Sequence, residues 1–207
     1  MNRRGNLIIV AAPSGAGKTS LVNRLVESID EVKISISYTT RSPRPNDEHG
    51  KDYFFVDEAQ FSEMVKSDTF LEHAEVFGNH YGTSNQWVLT ELAAGQDVIL
   101  EIDWQGAKQI RQQFPEALAI YILPPSLAVL RERLLARRQD SESTIEARMA
   151  LAQNEMSHYG EFDYLIVNDD FDLALEQFKH IVLAGRSRVT TMSQTLAPLL
   201  ADLLKKQ

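Results

Sequence analysis

The stretch "AAPSGAGKTS", residues 11–20, separates an apolar run with strand character, "NLIIV", from "LVNRLVESI", which has helical spacing. Gly15 and Gly17 permit a tight turn whose backbone N–H groups point toward one centre. A helix starting near Lys18 directs its positive dipole end at the same centre. Lys18 adds a mobile point charge, and Thr19 adds a hydroxyl suited to Mg²⁺. Strand, loop and helix together follow the phosphate-binding pattern G-x-x-x-x-G-K-[ST]. Ala12 stands where that pattern opens with glycine, which a methyl group tolerates only at negative φ. The nucleotide-phosphate candidates are therefore Ala12, Pro13, Ser14, Gly15, Ala16, Gly17, Lys18 and Thr19.

With 207 residues the chain can bury one good core carrying inserted subdomains. Its formal net charge of −8 disfavours wholesale nucleic-acid or membrane binding. The absence of cysteine excludes disulfides and thiolate metal sites and fits a reducing cytoplasm. Arg3, Arg4 and the apolar run after them resemble the start of a signal peptide. The run is too short, and the glycine loop breaks it. No segment has the length of a transmembrane helix. The expectation is a soluble, cytoplasmic protein.

Strand-like runs "NLIIV", "DVILEID", "ALAIYILPP" and "DYLIVND" alternate with helical patterns. The rhythm predicts a parallel sheet between helices, an α/β/α core. Residues 35–85 interrupt it with short, aromatic-rich, alternating strands and a hairpin around Gly78 and Asn79. Residues 126–158 interrupt it again with two arginine-rich helices joined by "RRQDSES". The expected division is a core of 1–34, 86–125 and 159–207, a β-rich insert of 35–85, and a helical lid of 126–158 with weak contacts to the core. At the end of the chain, Leu196, Leu199, Leu200, Leu203 and Leu204 form one apolar helical stripe, with Pro198 in its first turn. Such a stripe either covers the core or pairs with a second copy.

Arg41 and Arg44 lie in the proline-stiffened "YTTRSPRP". Two guanidinium forks there suit one phosphate; a solvated basic loop is the other reading. Tyr53 and Tyr81 in the same insert offer phenol O–H groups or simple packing. Glu72, between apolar neighbours, could accept guanine's N1–H and N2 amine side by side, where adenine's N1 lone pair would repel it. Ser37 can donate to guanine O6. Asp103 ends a strand at the crevice edge, with Glu101 on the same strand face, and either could be the functional carboxylate. Arg133 and Arg137 are four residues apart on one helical face, with Arg148 on the next helix. Converging, they would offset charge developing during phosphoryl transfer. The five histidines show no metal-like spacing.

Taken together, "APSGAGKT", "SYTTRSPRP", "HGKDYFFV", "FLEHAEVFGNHYGTS", "EIDWQG", "ILPPS" and "IVNDD" closely resemble the bacterial guanylate kinases over roughly residues 6–187. The resemblance implies ATP and GMP as substrates, Mg²⁺ as cofactor and in-line phosphoryl transfer. It implies Ser37, Glu72, Thr83 and Asp103 at the guanine, and Arg41, Arg44, Tyr53 and Tyr81 at the GMP phosphate. On the ATP side it implies Arg133, Arg137 and Arg148, with Asn168 near the adenine. Glu101 and Arg138 depart from the family's usual aspartate and glycine. Two rival classes share the phosphate loop. A GTPase switch would need an N-K-x-D motif, which is absent. A peptide-binding scaffold of the same fold typically carries a degraded loop, whereas Lys18 and Thr19 are intact.

Overall fold

A computed structural model describes residues 3–136 and 142–205. Strand β1 (Leu7–Ala11) is wholly buried at the centre of a five-stranded, all-parallel sheet. On one side lie β7 (Asp97–Glu101) and then the edge strand β2 (Val32–Ile34). On the other lie β8 (Leu118–Leu123) and β9 (Tyr164–Val167). The register runs Ile8↔Ile99 and Ile8↔Leu118. Side chains alternate across a strand, so β1 feeds two cores. Ile8 and Val10 pack with Leu21 and Leu25 of α1 (Lys18–Ser28) and Phe178 and Val182 of α7 (Phe171–Arg186). Leu7 and Ile9 pack with Val88 and Leu92 of α3 (Asn85–Ala93) and Ile110 of α4 (Trp104–Gln113). The result is the α/β/α sandwich expected of a chain with near-continuous apolar strands.

The second sheet has the order β4-β3-β6-β5, built from β3 (Tyr38–Thr39), β4 (Phe54–Phe55), β5 (Phe70–Val76) and β6 (Asn79–Ser84). The alternating run at residues 32–41 thus supplies one strand to each sheet, β2 to the first and β3 to the second. The β5–β6 hairpin turns at Phe77 (φ 53°) and Gly78 (φ 71°), one residue earlier than the sequence suggests. Helix α2 (Glu58–Lys66) begins with a capping box between Asp57 and Gln60 and sets Phe61 against Phe70 at 4.7 Å. Gly82 leaves room for the Phe70 ring. A bulge between Phe70 and Glu72 shifts the register of β5 immediately before Glu72.

Helices α5 (Leu127–Ala136) and α6 (Glu142–Ser157) share a small core of Leu130, Leu134, Ile145 and Ala152. Leu130 and Leu134 lie 3.1 Å from where a side chain on Gly15 would begin, so α5 is seated directly on the phosphate loop. Arg137 and Arg138 fall outside the described residues.

After a short helix α8 (Val189–Thr195), the C-terminal stripe falls on α9 (Ala197–Leu203) and its caps Leu196 and Leu204, with Pro198 in the first turn of α9. Leu199, Leu200, Leu203 and Leu204 are exposed, so this face does not cover the core. No helix among the described residues is long and apolar enough to cross a membrane.

One buried carboxylate ties the first residues and the end of α7 to the sheet. Asp97 has no exposed surface and accepts from Arg3 Nη1 at 2.6 Å, Asn6 N at 2.8 Å and Arg186 Nε at 2.8 Å. Asp97→Ala would take away the buried acceptor that Arg3 and Arg186 share, and we expect it to cost about 3 kcal/mol or more. Urea unfolding tests this: the midpoint should drop with an unchanged m-value, and a midpoint within error of wild type would refute it.

Candidate active site

The site is a cleft of about 280 Å³ between the two sheets, floored by the phosphate loop. The loop's conformation explains its sequence. Gly15 (φ 95°) and Gly17 (φ 90°) occupy the left-handed region, while Ala12 is not among the positive-φ residues. Alanine is therefore compatible with the position where the pattern has glycine. At Gly17 a methyl group would also collide with Asn168 Nδ2. Helices α2, α3, α4 and α7 have side-chain caps from Asp57, Ser84, Asp103 and Asp170. Helix α1 starts at Gly17 without one, which leaves its first-turn amides to an outside anion. Ala12, Pro13, Ser14, Gly15, Gly17, Lys18 and Thr19 all line the cleft.

Ala16 and Asn168 sit behind that surface. Ala16 is fully buried, and its carbonyl accepts from Asn168 Nδ2 at 2.7 Å. Arg133 donates to Asn168 O at 2.9 Å and more weakly to Ala16 O at 3.4 Å. Asn168, just after β9, and Arg133, on α5, thus both bond to the backbone carbonyl of Ala16 in the loop. Arg148 of α6 does reach the cleft.

The second sheet contributes Glu72 and Tyr81 to the cleft, and the segments flanking β3 and β4 contribute Ser37, Arg41, Arg44 and Tyr53. Arg41 is held by Asp47 Oδ2 at 2.7 Å and lies 5.2 Å from the centre of the Tyr53 ring. Burial would lower the Arg41 guanidinium, but the Asp47 carboxylate outweighs it and holds the group above its ordinary value. The same Asp47 oxygen accepts Arg44 N at 2.9 Å, fixing the spacing between the two arginines. Burial raises the Tyr53 phenol, with its neighbour Tyr81 adding to the effect. Tyr53 and Tyr81 meet edge to face at 5.9 Å.

Glu72 is the most perturbed group facing the cleft. It is 3% exposed, and burial pushes its carboxyl up to about 7, against the Thr83 hydroxyl bond that favours the charged form. Thr83 is itself fully buried and donates to Glu72 Oε1 at 2.5 Å. It orients the carboxylate from behind. A side chain at Gly106 would fall on Glu72 Oε2, so the start of α4 can approach only as glycine.

The two strand-end carboxylates separate. Asp103 lines the cleft and caps α4 through Gly106 N at 2.9 Å. Glu101 accepts the Thr19 hydroxyl at 3.0 Å, beside the phosphate loop. Sequence reasoning missed Asp47 and Glu155. Asp47 was signalled by its place in the turn three residues after Arg44. Glu155, seven residues after Arg148, shares that helix face and lines the cleft.

Comparison with known proteins agrees with this arrangement. Residues 4–184 match the guanylate kinase family model. The chain is 58% identical over 204 residues to a guanylate kinase of Coxiella burnetii, covering 99% of each. It is 54% identical to one from Escherichia coli K12, covering 97% of this chain and 98% of the other. A crystal structure of guanylate kinase from Anaplasma phagocytophilum superposes with a TM-score of 0.78 at 32% identity, covering 92% of this chain and 90% of that one. A phosphate loop, an arginine pair and a buried carboxylate facing one cleft, with matches of this extent, lead to one conclusion: this chain belongs to the guanylate kinase family.

Proposed function

We propose that the cleft transfers the γ-phosphoryl group of ATP to GMP, giving ADP and GDP. The observation that carries this reading is Glu72, a buried carboxylate aimed into a cleft whose opposite wall is a phosphate loop. Ionised, it can accept two adjacent donors, as guanine offers. Ser37 and Asp103 flank the base position. Arg41 and Arg44, with Tyr53 and Tyr81, hold the GMP phosphate. Residues 12–19 hold the ATP phosphates, with Lys18, Arg148 and Arg137 opposing charge that develops in transfer.

Arg133 and Asn168 act one step back, fixing Ala16 and so the loop. No side chain becomes covalently modified: positioning, charge stabilisation and exclusion of water suffice for an in-line transfer. The parts moving against one another are a core of 1–34, 86–125 and 159–207, an insert of 35–85 and a lid of 126–158.

The donor set fits Mg²⁺. Thr19 Oγ1 and Glu101 Oε2 place two hard oxygens together at the start of α1. Mg²⁺ characteristically takes one or two such protein oxygens and keeps water and substrate oxygens for the rest. Bound there, it would neutralise phosphate charge. The absence of cysteine supports a cytoplasmic location, and the exposed leucines of α9 support a homo-oligomer through the C-terminal helix.

A coupled assay of ADP release with ATP and GMP tests the reading. Release should depend on GMP; GMP-independent release would favour a GTPase-like or ATPase role, and no release a scaffold.

A pH dependence follows from Glu72. Below about 7 the carboxyl is neutral in the free chain and presents an O–H to guanine's own donors. GMP binding must then expel a proton, so KM for GMP should fall as pH rises toward about 7 and level off above it. The folded chain holds this proton more tightly than the unfolded one, so the same group makes stability decline as pH rises through that window. A KM profile flat from pH 5.5 to 8 would contradict an ionised Glu72 in the complex.

A further inference from the structure

Strand β5, which carries Glu72, is an outer strand of the second sheet. Its partner β6 lies on one side only, so every second residue directs its backbone N–H and C=O away from the sheet. A row of glutamines meets those outward groups. Gln105, Gln109 and Gln113 follow one another at four-residue steps along α4. Gln105 Nε2 donates to Glu75 O at 3.3 Å, Gln109 Nε2 to His73 O at 2.8 Å, and Gln113 Nε2 to Leu71 O at 2.9 Å. Gln109 Oε1 also accepts His73 N at 3.2 Å. The two repeats nearly match, since four helical residues rise about 6 Å and two strand residues about 6.8 Å. Side-chain amides thus stand where a further strand would pair.

The row ends at the base position. An amide nitrogen has two hydrogens to give, and Gln105 Nε2 donates also to Asp103 Oδ2, at 3.0 Å. Asp103 Oδ1 accepts Gly106 N. Both oxygens of Asp103 are therefore held by the first turn of α4, and Glu72 Oε2 lies against Gly106 in the same turn. Leu71 and His73, held by Gln113 and Gln109, are the residues on either side of Glu72. We propose that this glutamine row is a positioning device for base recognition: it fixes Glu72 against Asp103, so that both carboxylates meet one guanine. The three glutamines are not among the residues lining the cleft, so each acts through β5 or through Asp103.

The inference rests on Glu72 reading guanine, and the test separates the two. kcat and KM for GMP and for ATP, and kcat/KM for AMP, are measured in wild type, Gln105→Met, Gln109→Met and Gln112→Met, with thermal melts to confirm folding. Methionine keeps the length and apolar stem of glutamine and loses the amide. Gln112, exposed on the same helix, reports the effect of methionine on α4 alone. Gln105→Met and Gln109→Met should each raise KM for GMP roughly tenfold, the worth of one weakened charge-assisted hydrogen bond. The preference for GMP over AMP should narrow by the same factor, with kcat and KM for ATP within about twofold of wild type. Gln112→Met should match wild type throughout. A purely structural row would lower the melting temperature and leave KM for GMP and the base preference in place, which would overturn the inference. So would equal rises in KM for ATP and GMP, or the same rise in Gln112→Met. Wild-type ADP release that does not depend on GMP would overturn the reading of the cleft, and this inference with it.

Discussion

Lys18→Ala is expected to lower turnover by roughly 10²–10³-fold or more while leaving the fold intact. Lys18 is the first residue of α1 and lines the cleft. The packing of α1 against the sheet comes from Leu21, Val22 and Leu25, none of which touches the reaction. Removing the ammonium therefore takes a mobile cation from the phosphates and leaves the core unchanged. Negative charge grows on the transferred oxygens as the bond to ADP breaks, so the lost interaction is stronger in the transition state than in bound ATP. The loss should accordingly appear in kcat as well as in KM for ATP. Steady-state kinetics at saturating GMP, beside a thermal melt within a few degrees of wild type, checks both halves. A folded variant that keeps near-normal kcat would remove Lys18 from the mechanism.

What was legible in the sequence is what depends on short range. The continuous apolar run of β1 and the helical spacing of the segments between strands are local patterns, and they placed the α/β/α sandwich. The loop was legible because Gly15 and Gly17 need left-handed backbone that other residues avoid. Elements whose state depends on distant partners were read less well. Residues 32–41 alternate as one strand, yet β2 pairs with β7 while β3 pairs with β4 and β6. Nothing local marks the switch between sheets.

The same holds in the site. Thr83 and Asn168 are buried polar residues, and the bonds they make, to Glu72 and to Ala16, exist only once the chain is folded. Arg133 pairs with Arg137 by helical spacing, but the seating of α5 on Gly15 turns it toward backbone carbonyls beneath the loop. Glu155 was hidden for a related reason: an acidic residue on a charged helix looks solvated until the fold sets it in the cleft with Ser14 and Lys18.

Base choice carries the largest effect after the phosphate loop. Ionised Glu72 can take guanine's N1–H and N2 donors, with Oε1 already anchored by Thr83. Adenine would leave the buried carboxylate facing a lone pair, and an unpaired buried charge costs more than the 1–3 kcal/mol typical of a neutral group. A site built on such bonds can discriminate by roughly 10⁴-fold or more. Glu72→Gln preserves shape but exchanges one acceptor for a donor, which then opposes one of guanine's N–H groups. It is expected to lower kcat/KM for GMP by about a hundredfold. ATP binding at the loop, on the opposite wall of the cleft, should remain nearly unchanged. The decisive measurement is kcat/KM for GMP and for AMP, at saturating ATP, in wild type and Glu72→Gln. The account predicts a wide preference for GMP that narrows sharply in the variant; a ratio unchanged by the substitution would show that Glu72 does not read the base.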